Sequence, residues 1–184
     1  MKNRLLVLLC FLSLIACKKT TPLEAAFQCE QVTAYAELET VRDFRSLFAI
    51  PLPKSWKTGL HYSASQSSIY SADTTKQLTE TTIIDIAYIH QENTFDDAFK
   101  SNIRKNTAAK DLKEIFTSEL LFANKNSYVT LASGNKAGHP YQILQIFSQV
   151  NDQNFTHIKA EVYGEKAVTE RFCKAITLLK KLTF

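Results

Sequence analysis

The side chains able to do chemistry in this sequence are few and scattered. Its four histidines, His61, His90, His139 and His157, show no H-x-H, H-x-x-H or H-E-x-x-H spacing. No short stretch therefore presents a ready metal chelate, and no metal is expected. His157 and Glu161 fall on one face of an extended segment, about 13–14 Å apart, too far to share an ion. His139 precedes Pro140 and reads as an exposed loop residue. Ser133-Gly134, in "LASGNKAG", lacks the G-x-S-x-G elbow of a serine nucleophile and reads as the end of a strand. Asp96 and Asp97 are consecutive, point apart, and suit the positive end of a helix better than an acid/base pair. With four glycines in the chain and neither a P-loop nor a G-x-G-x-x-G run, no phosphate cradle is indicated. No catalytic residue and no cofactor can be assigned. A site gathered from distant segments stays open, with His61, His139 and Tyr141 as its candidate members.

The cysteines say more. Met1-Lys2-Asn3-Arg4 is a short basic start, and Leu5 to Ala16 is an apolar run of about twelve residues, where a spanning helix needs roughly twenty. It ends in Leu14-Ile15-Ala16-Cys17, which resembles the lipobox of bacterial lipoproteins. That resemblance implies cleavage before Cys17 and a diacylglycerol thioether on its sulfur, with acyl chains such as palmitate holding the protein at a membrane surface. The alternative is a plain signal peptide cut elsewhere, with Cys17 an ordinary thiol. Lys18-Lys19 add attraction to anionic headgroups. The expected station is the bacterial cell envelope. No Asp follows the cysteine to favour inner-membrane retention, which leans the expectation to the outer membrane, facing the periplasm or the surface, while the choice of membrane and face stays open.

Cys10 leaves with the leader, so Cys29 and Cys173 remain. In an exported protein two such thiols can form one disulfide, here tying the segment after the anchor to the last helix. Closing so long a loop is worth up to about 4–5 kcal/mol on the chain-entropy argument. Two unpaired thiols are the alternative.

Composition bounds the rest. Removing residues 1–16 leaves 168 residues, enough for one domain with a single core. A hydrophobic fraction of 45% and a charged fraction of 22% are those of a folded protein. Lys2 and Arg4 go with the leader, which takes the formal charge from +4 to +2 and disfavours nucleic acid as a partner.

The elements that must position these side chains follow from periodicity. Residues 17–40 read as a lipidated tether, with Leu23, Phe27, Ala34 and Leu38 open to a loose helical or an extended reading. A single globular domain is expected over 41–184. "RSLFAIPLPKSW" predicts a short strand stopped by Pro51 and Pro53, with Trp56 covering one end of the core. "GLHYSA" and "SSIYSAD" predict short strands. "TTIIDIAYIHQ" is apolar on both faces, the mark of a central strand covered from two sides. "NTFDDAFKSNIRKN" predicts a helix capped by Thr94, with Asp97 completing a near capping box. "EIFTSELLF", "SYVTLAS", "YQILQIFSQV" and "FTHIKAEVYG" predict a meander with turns at "ANKN", "GNKAGHP" and "NDQN". In its last strand His157, Lys159 and Glu161 form the wet face. "EKAVTERFCKAITLLKKL" closes the chain as an amphipathic helix with Cys173 on the flank of its apolar stripe.

Strands, a helix, an antiparallel meander and a terminal helix make an α+β protein. "LFAIPLPKSW", the following "SAD" and isoleucine-rich strand, and the final strand and helix resemble Mog1/PsbP-like domains, including envelope lipoproteins of the DcrB type. The resemblance implies an antiparallel β-sheet flanked by helices, an α/β/α sandwich. The expected role is a non-catalytic interaction or assembly module on the envelope, with membrane lipid bound through Cys17 and an envelope protein as partner. The alternative is a small-ligand carrier or hydrolase-like enzyme whose site assembles only in three dimensions.

Overall fold

Alternating apolar residues and two-residue turns build the second half of the chain. The strands are β6 (Lys113–Phe122), β7 (Lys125–Lys136), β8 (His139–Asn151) and β9 (Asn154–Tyr163), each antiparallel to the next. Between β6 and β7 Ala123 and Asn124 take φ of 48° and 60°, and between β7 and β8 Ala137 and Gly138 take 51° and 80°. Two consecutive positive φ values give the type I′ turn, whose twist matches the strands it joins. Only Ala137 and Gly138 turn within the expected loop "GNKAGHP". Its flanks continue the ladder, and His139 is a half-buried strand residue paired with Lys136 rather than an exposed loop residue.

The computed structural model describes residues 21–29 and 32–184. Ahead of the meander come α1 (Pro22–Ala26), β1 (Leu38–Arg42), β2 (Ala49–Pro53), β3 (Lys57–Tyr62), β4 (Gln66–Ala72), β5 (Thr82–His90) and α2 (Asp97–Ala108); α3 (Val168–Leu179) follows it. β1 and β2 form a separate two-stranded sheet, and the other seven make one antiparallel sheet in the order β3-β4-β5-β9-β8-β7-β6. After β5, α2 carries the chain to the far edge, and the meander returns until β9 lies against β5. β5 is thus an interior strand.

One face of the sheet holds the main core. Ile84, Ile86, Leu144, Ile146 and Ile158 are fully buried there, beneath Ile50 and Leu52 of β2 and Phe172, Ile176 and Leu179 of α3. Each such side chain contributes about 1.5–3 kcal/mol by leaving water. Trp56 is buried against Tyr35, with ring centroids 5.3 Å apart. Cys173 lies inside this core at 3% exposure rather than on the flank of the helix.

Three local expectations are corrected. Pro51 and Pro53 do not stop β2 but lie within it, paired with Thr40 and Leu38. Alternation explains why: the Ala49 N–H points away from β1 to the Thr183 carbonyl at 2.9 Å, so positions 51 and 53 face the same free side and no ladder bond is lost. The cap of α2 is Asp96, which accepts from the Phe99 N–H at 2.8 Å, not Thr94. Phe95 takes φ 51° to bury its ring, and a helix cannot run through that conformation. Finally, the segment expected as a tether is docked well before residue 41. Thr21 and Glu24 form a capping box on α1, and Leu23 and Phe27 are core residues. Ala34 is exposed and Leu38 belongs to β1, so the four residues share no stripe. No described helix is long and apolar enough to cross a membrane.

Candidate functional site

The second face of the sheet is only partly covered. α2 sets Phe99 and Ile103 over Tyr128, Phe147 and Phe155. Past its C-cap at Ala109 the chain turns through Asp111, at φ 55°, to Leu112, leaving a cleft of about 400 Å³ between helix and sheet. Gly134 makes that turn possible, since a Cβ there would meet the Leu112 side chain and lie 3.0 Å from the Asp111 carbonyl oxygen. The Ser133-Gly134 pair is therefore a close-packing point within β7, with Ser133 paired to Gln142.

Register places the cleft floor. Ile143 pairs with Glu161, Gln145 with Lys159, and Phe147 with His157, so alternate residues of β8 and β9 share this face. Asn106 and Lys110 form the opposite wall. The face expected to be wet is half-buried under the end of α2, which corrects that reading of His157, Lys159 and Glu161.

The charges on the floor are paired. Lys136 Nζ lies 2.8 Å from Glu161 Oε2, and the Tyr163 hydroxyl donates to the same oxygen at 2.8 Å. Lys159 Nζ lies 2.6 Å from Asp85 Oδ2. Burial works against the Lys136 ammonium, yet its bonds to Glu161 and Tyr163 prevail and hold its pKa above the ordinary lysine value. Burial, with the Glu161 charge, pushes the Tyr163 phenol up to about 12. Burial also lowers His157 to about 3, helped by the charges of Lys159 and Lys110. The neutral imidazole stacks on Phe147 at 4.2 Å, and its Nε2 lies 3.0 Å from Gln145 Oε1, an acceptor, so the ring proton sits there. The cleft thus offers amides, a neutral imidazole, compensated ions and the Tyr141 ring, groups suited to holding a ligand by hydrogen bonds and contact.

The candidate residues do not converge. Tyr141 lines the cleft. His61 lies on the edge strand β3, with β4, β5 and β9 between it and β8. His139 starts β8 but does not line the cleft, and His90 lies at the other end of the sheet, 2.8 Å from Asn154 Oδ1. Among the described residues no three His, Cys, Asp or Glu side chains gather as a metal site. Cys29 and Cys173 are joined as a disulfide, with Cα atoms 5.4 Å apart. Cys17 lies outside the described residues. Gln145, Lys136 and Asn106 were not singled out from sequence. The available signal was the matched alternation Tyr141, Ile143, Gln145 beside His157, Lys159, Glu161.

The sequence matches no protein-family profile, and no curated protein matches it. Solved structures do resemble the fold. The Ran-binding protein Mog1p of Saccharomyces cerevisiae superposes with a TM-score of 0.55 at 9% identity, covering 79% of this chain and 94% of that one. A point-mutant form of Mog1 gives 0.52 at 9% identity, covering 79% and 95%. LpqN, involved in cell envelope biogenesis of Mycobacterium tuberculosis, gives 0.49 at 11% identity over 90% and 98%. At such identities the likeness is one of architecture, and the conclusion it supports is that this chain has the Mog1/PsbP-like α+β fold, an antiparallel sheet with helices on its faces.

Proposed function

We propose that this chain is an exported protein, held on the bacterial envelope by acyl chains on Cys17, and that it works there as a non-catalytic binding module for an envelope partner. The observation that carries the binding half is the state of the cleft. Glu161 is compensated by Lys136, Asp85 by Lys159, and His157 is neutral down to about pH 3, so these groups are arranged to recognise rather than to exchange protons. Export is supported by the leader and by the Cys29–Cys173 bond, which belongs to an oxidising compartment. In the yeast protein of like fold the described role is Ran binding, a protein partner. A second reading, a small-ligand carrier, is favoured by the cleft volume of about 400 Å³.

A photo-crosslinking residue at Asn106, on the cleft wall, tests the two in intact cells against the same residue at Thr74, on the exposed β4–β5 loop and outside the cleft lining. A protein adduct at position 106 that is absent at 74 and lost with Gln145→Ala supports the module. No adduct, together with a small molecule co-purifying in native mass spectrometry, replaces it with the carrier. Anchoring is read separately, since labelled palmitate must disappear with Cys17→Ala.

A further inference from the structure

The route of the chain from Cys17 into the domain decides which end of the molecule meets the bilayer. Thr21 stands four residues after Cys17, and extended chain covers at most about 3.3–3.6 Å per residue, so Thr21 lies within about 14 Å of the lipidated residue. Thr21 is itself held in place. It caps α1, Glu24 pairs with Lys180 at 2.7 Å, Leu23 and Phe27 are core residues, and Cys29 is bonded to Cys173. Between Lys180 and Cys173 the chain climbs seven positions of α3, about 10 Å at ~1.5 Å per residue, so the anchor leaves beside the C-terminal end of α3.

That end of α3 belongs to one end of the whole sheet. Thr183 pairs with Ala49 at the start of β2. The neighbouring Asp43 accepts from the Ser67 hydroxyl at 2.6 Å, at the start of β4, and Arg45 donates to the Ser63 carbonyl at 2.7 Å, in the β3–β4 turn. Three aromatic side chains are exposed there: Phe44 at 61%, Tyr62 at 58% and Phe184 at 46%. The Phe44 and Tyr62 rings stack with centroids 4.3 Å apart, and the Arg45 guanidinium lies 5.9 Å over Tyr62. Lys180 and Lys181 stand at the same end, and Lys18 and Lys19 follow Cys17 in the sequence. Of the acids at this end, Asp43 is buried and accepts from Ser67, Glu24 is paired with Lys180, and Glu92, Asp96, Asp97 and Asp152 belong to the link into α2, its first turn and the β8–β9 turn.

We propose that this end is a lipid-facing surface, with Phe44, Tyr62 and Phe184 seated at headgroup level and Arg45 and Lys181 against lipid phosphates. Aromatic rings and basic side chains are the residues that settle at a membrane interface. The occupant is the headgroup layer of the bilayer that carries the acyl chains, because a leash of four residues holds this end against it. The cleft residues Lys136, Tyr141 and Glu161 lie toward the opposite end of the strands, about 34 Å away at ~3.4 Å per residue from Tyr141 to Asn151, so the cleft faces water.

The inference rests on acylation at Cys17, and the test separates the two. Acylated mature protein is reconstituted into phosphatidylethanolamine and phosphatidylglycerol vesicles containing lipid brominated near the headgroup. Phe44→Trp and Phe184→Trp are compared with Leu78→Trp, an exposed position at the opposite end, each against the background of Trp56. Emission added by the first two is lost on the brominated vesicles, while that added by Leu78→Trp is retained. Equal quenching at both ends, or none at Phe44→Trp in protein that floats with the vesicles, overturns the orientation alone. A blue-shifted Phe44→Trp emission in a cross-linkable dimer without vesicles gives the surface to a second copy and overturns it too. A mature protein with no acyl mass removes the anchoring reading and this one together.

Discussion

Reducing the Cys29–Cys173 bond should lower the stability of the domain sharply without changing its fold class. The bond closes a sequence separation of 144 residues. On the chain-entropy relation a loop of that length removes about 17 cal/mol/K from the unfolded ensemble, or about 5 kcal/mol at 25 °C. Native disulfides in small secreted domains usually deliver about 2–5 kcal/mol, so this value is a ceiling. With a urea slope near 2 kcal/mol/M, the midpoint should fall by about 1–2.5 M. The slope itself should rise, because a chain freed of its cross-link exposes more surface on unfolding. The cleanest assay is equilibrium urea unfolding of the same wild-type protein, oxidised and reduced, followed by far-UV circular dichroism. A Cys29→Ala, Cys173→Ala double variant should fall at least as far. Alanine is preferred because Cys173 is buried, where a serine hydroxyl would need a partner. Coincident midpoints for the oxidised and reduced protein would refute the reasoning.

Three other expectations test separate parts of the structure. His157 is held near pKa 3, below its ordinary value of 6.5, so between those values the unfolded chain binds the extra proton. Stability should therefore fall as pH drops below about 6.5, by at most about 1.4 kcal/mol per pH unit from this residue. His157→Gln should flatten that slope in urea melts between pH 4 and 7, and an unchanged slope would show the imidazole is not buried as described. Gly138→Ala should cost only about 1 kcal/mol, since its φ is 80° and nothing lies within 4 Å. Gly164→Ala should cost clearly more, because the new Cβ would overlap the Thr79 carbonyl at φ 77°; equal melting temperatures for the two would contradict this. Asp96→Ala should remove about 1 kcal/mol by uncapping α2, whereas Thr94→Ala should leave thermal stability unchanged.

Much of the architecture could be read from periodicity because its cause is local. The double-faced "TTIIDIAYIHQ" is interior strand β5, and the stripe Phe172, Ile176, Leu179 is the buried side of α3. Where reading failed, a tertiary preference outweighed a local rule. Pro51 and Pro53 end strands in general, yet the edge that β2 leaves unpaired tolerates them. Thr94 is a good cap by type, but the burial of Phe95 moves the start of the helix. The cleft was invisible for a further reason. It depends on the register of β8 against β9 and on where the chain leaves α2 near Gly134, neither of which any single segment encodes. The charges on its floor looked like an exposed strand face because the helix above them comes from some fifty residues earlier in the chain.

The junction of Cys29 with Cys173 also determines how the molecule bears mechanical load. Tension entering the domain at Thr21 travels through α1 and crosses at the sulfurs into α3, which lies along the centre of the sheet. The β1–β2 hairpin is bypassed. A tug on Thr21 would thus shear a buried helix along its axis instead of peeling an edge strand away one bond at a time. Cutting the bond would hand the same force to that hairpin, turning a firm mooring into a line that pays out.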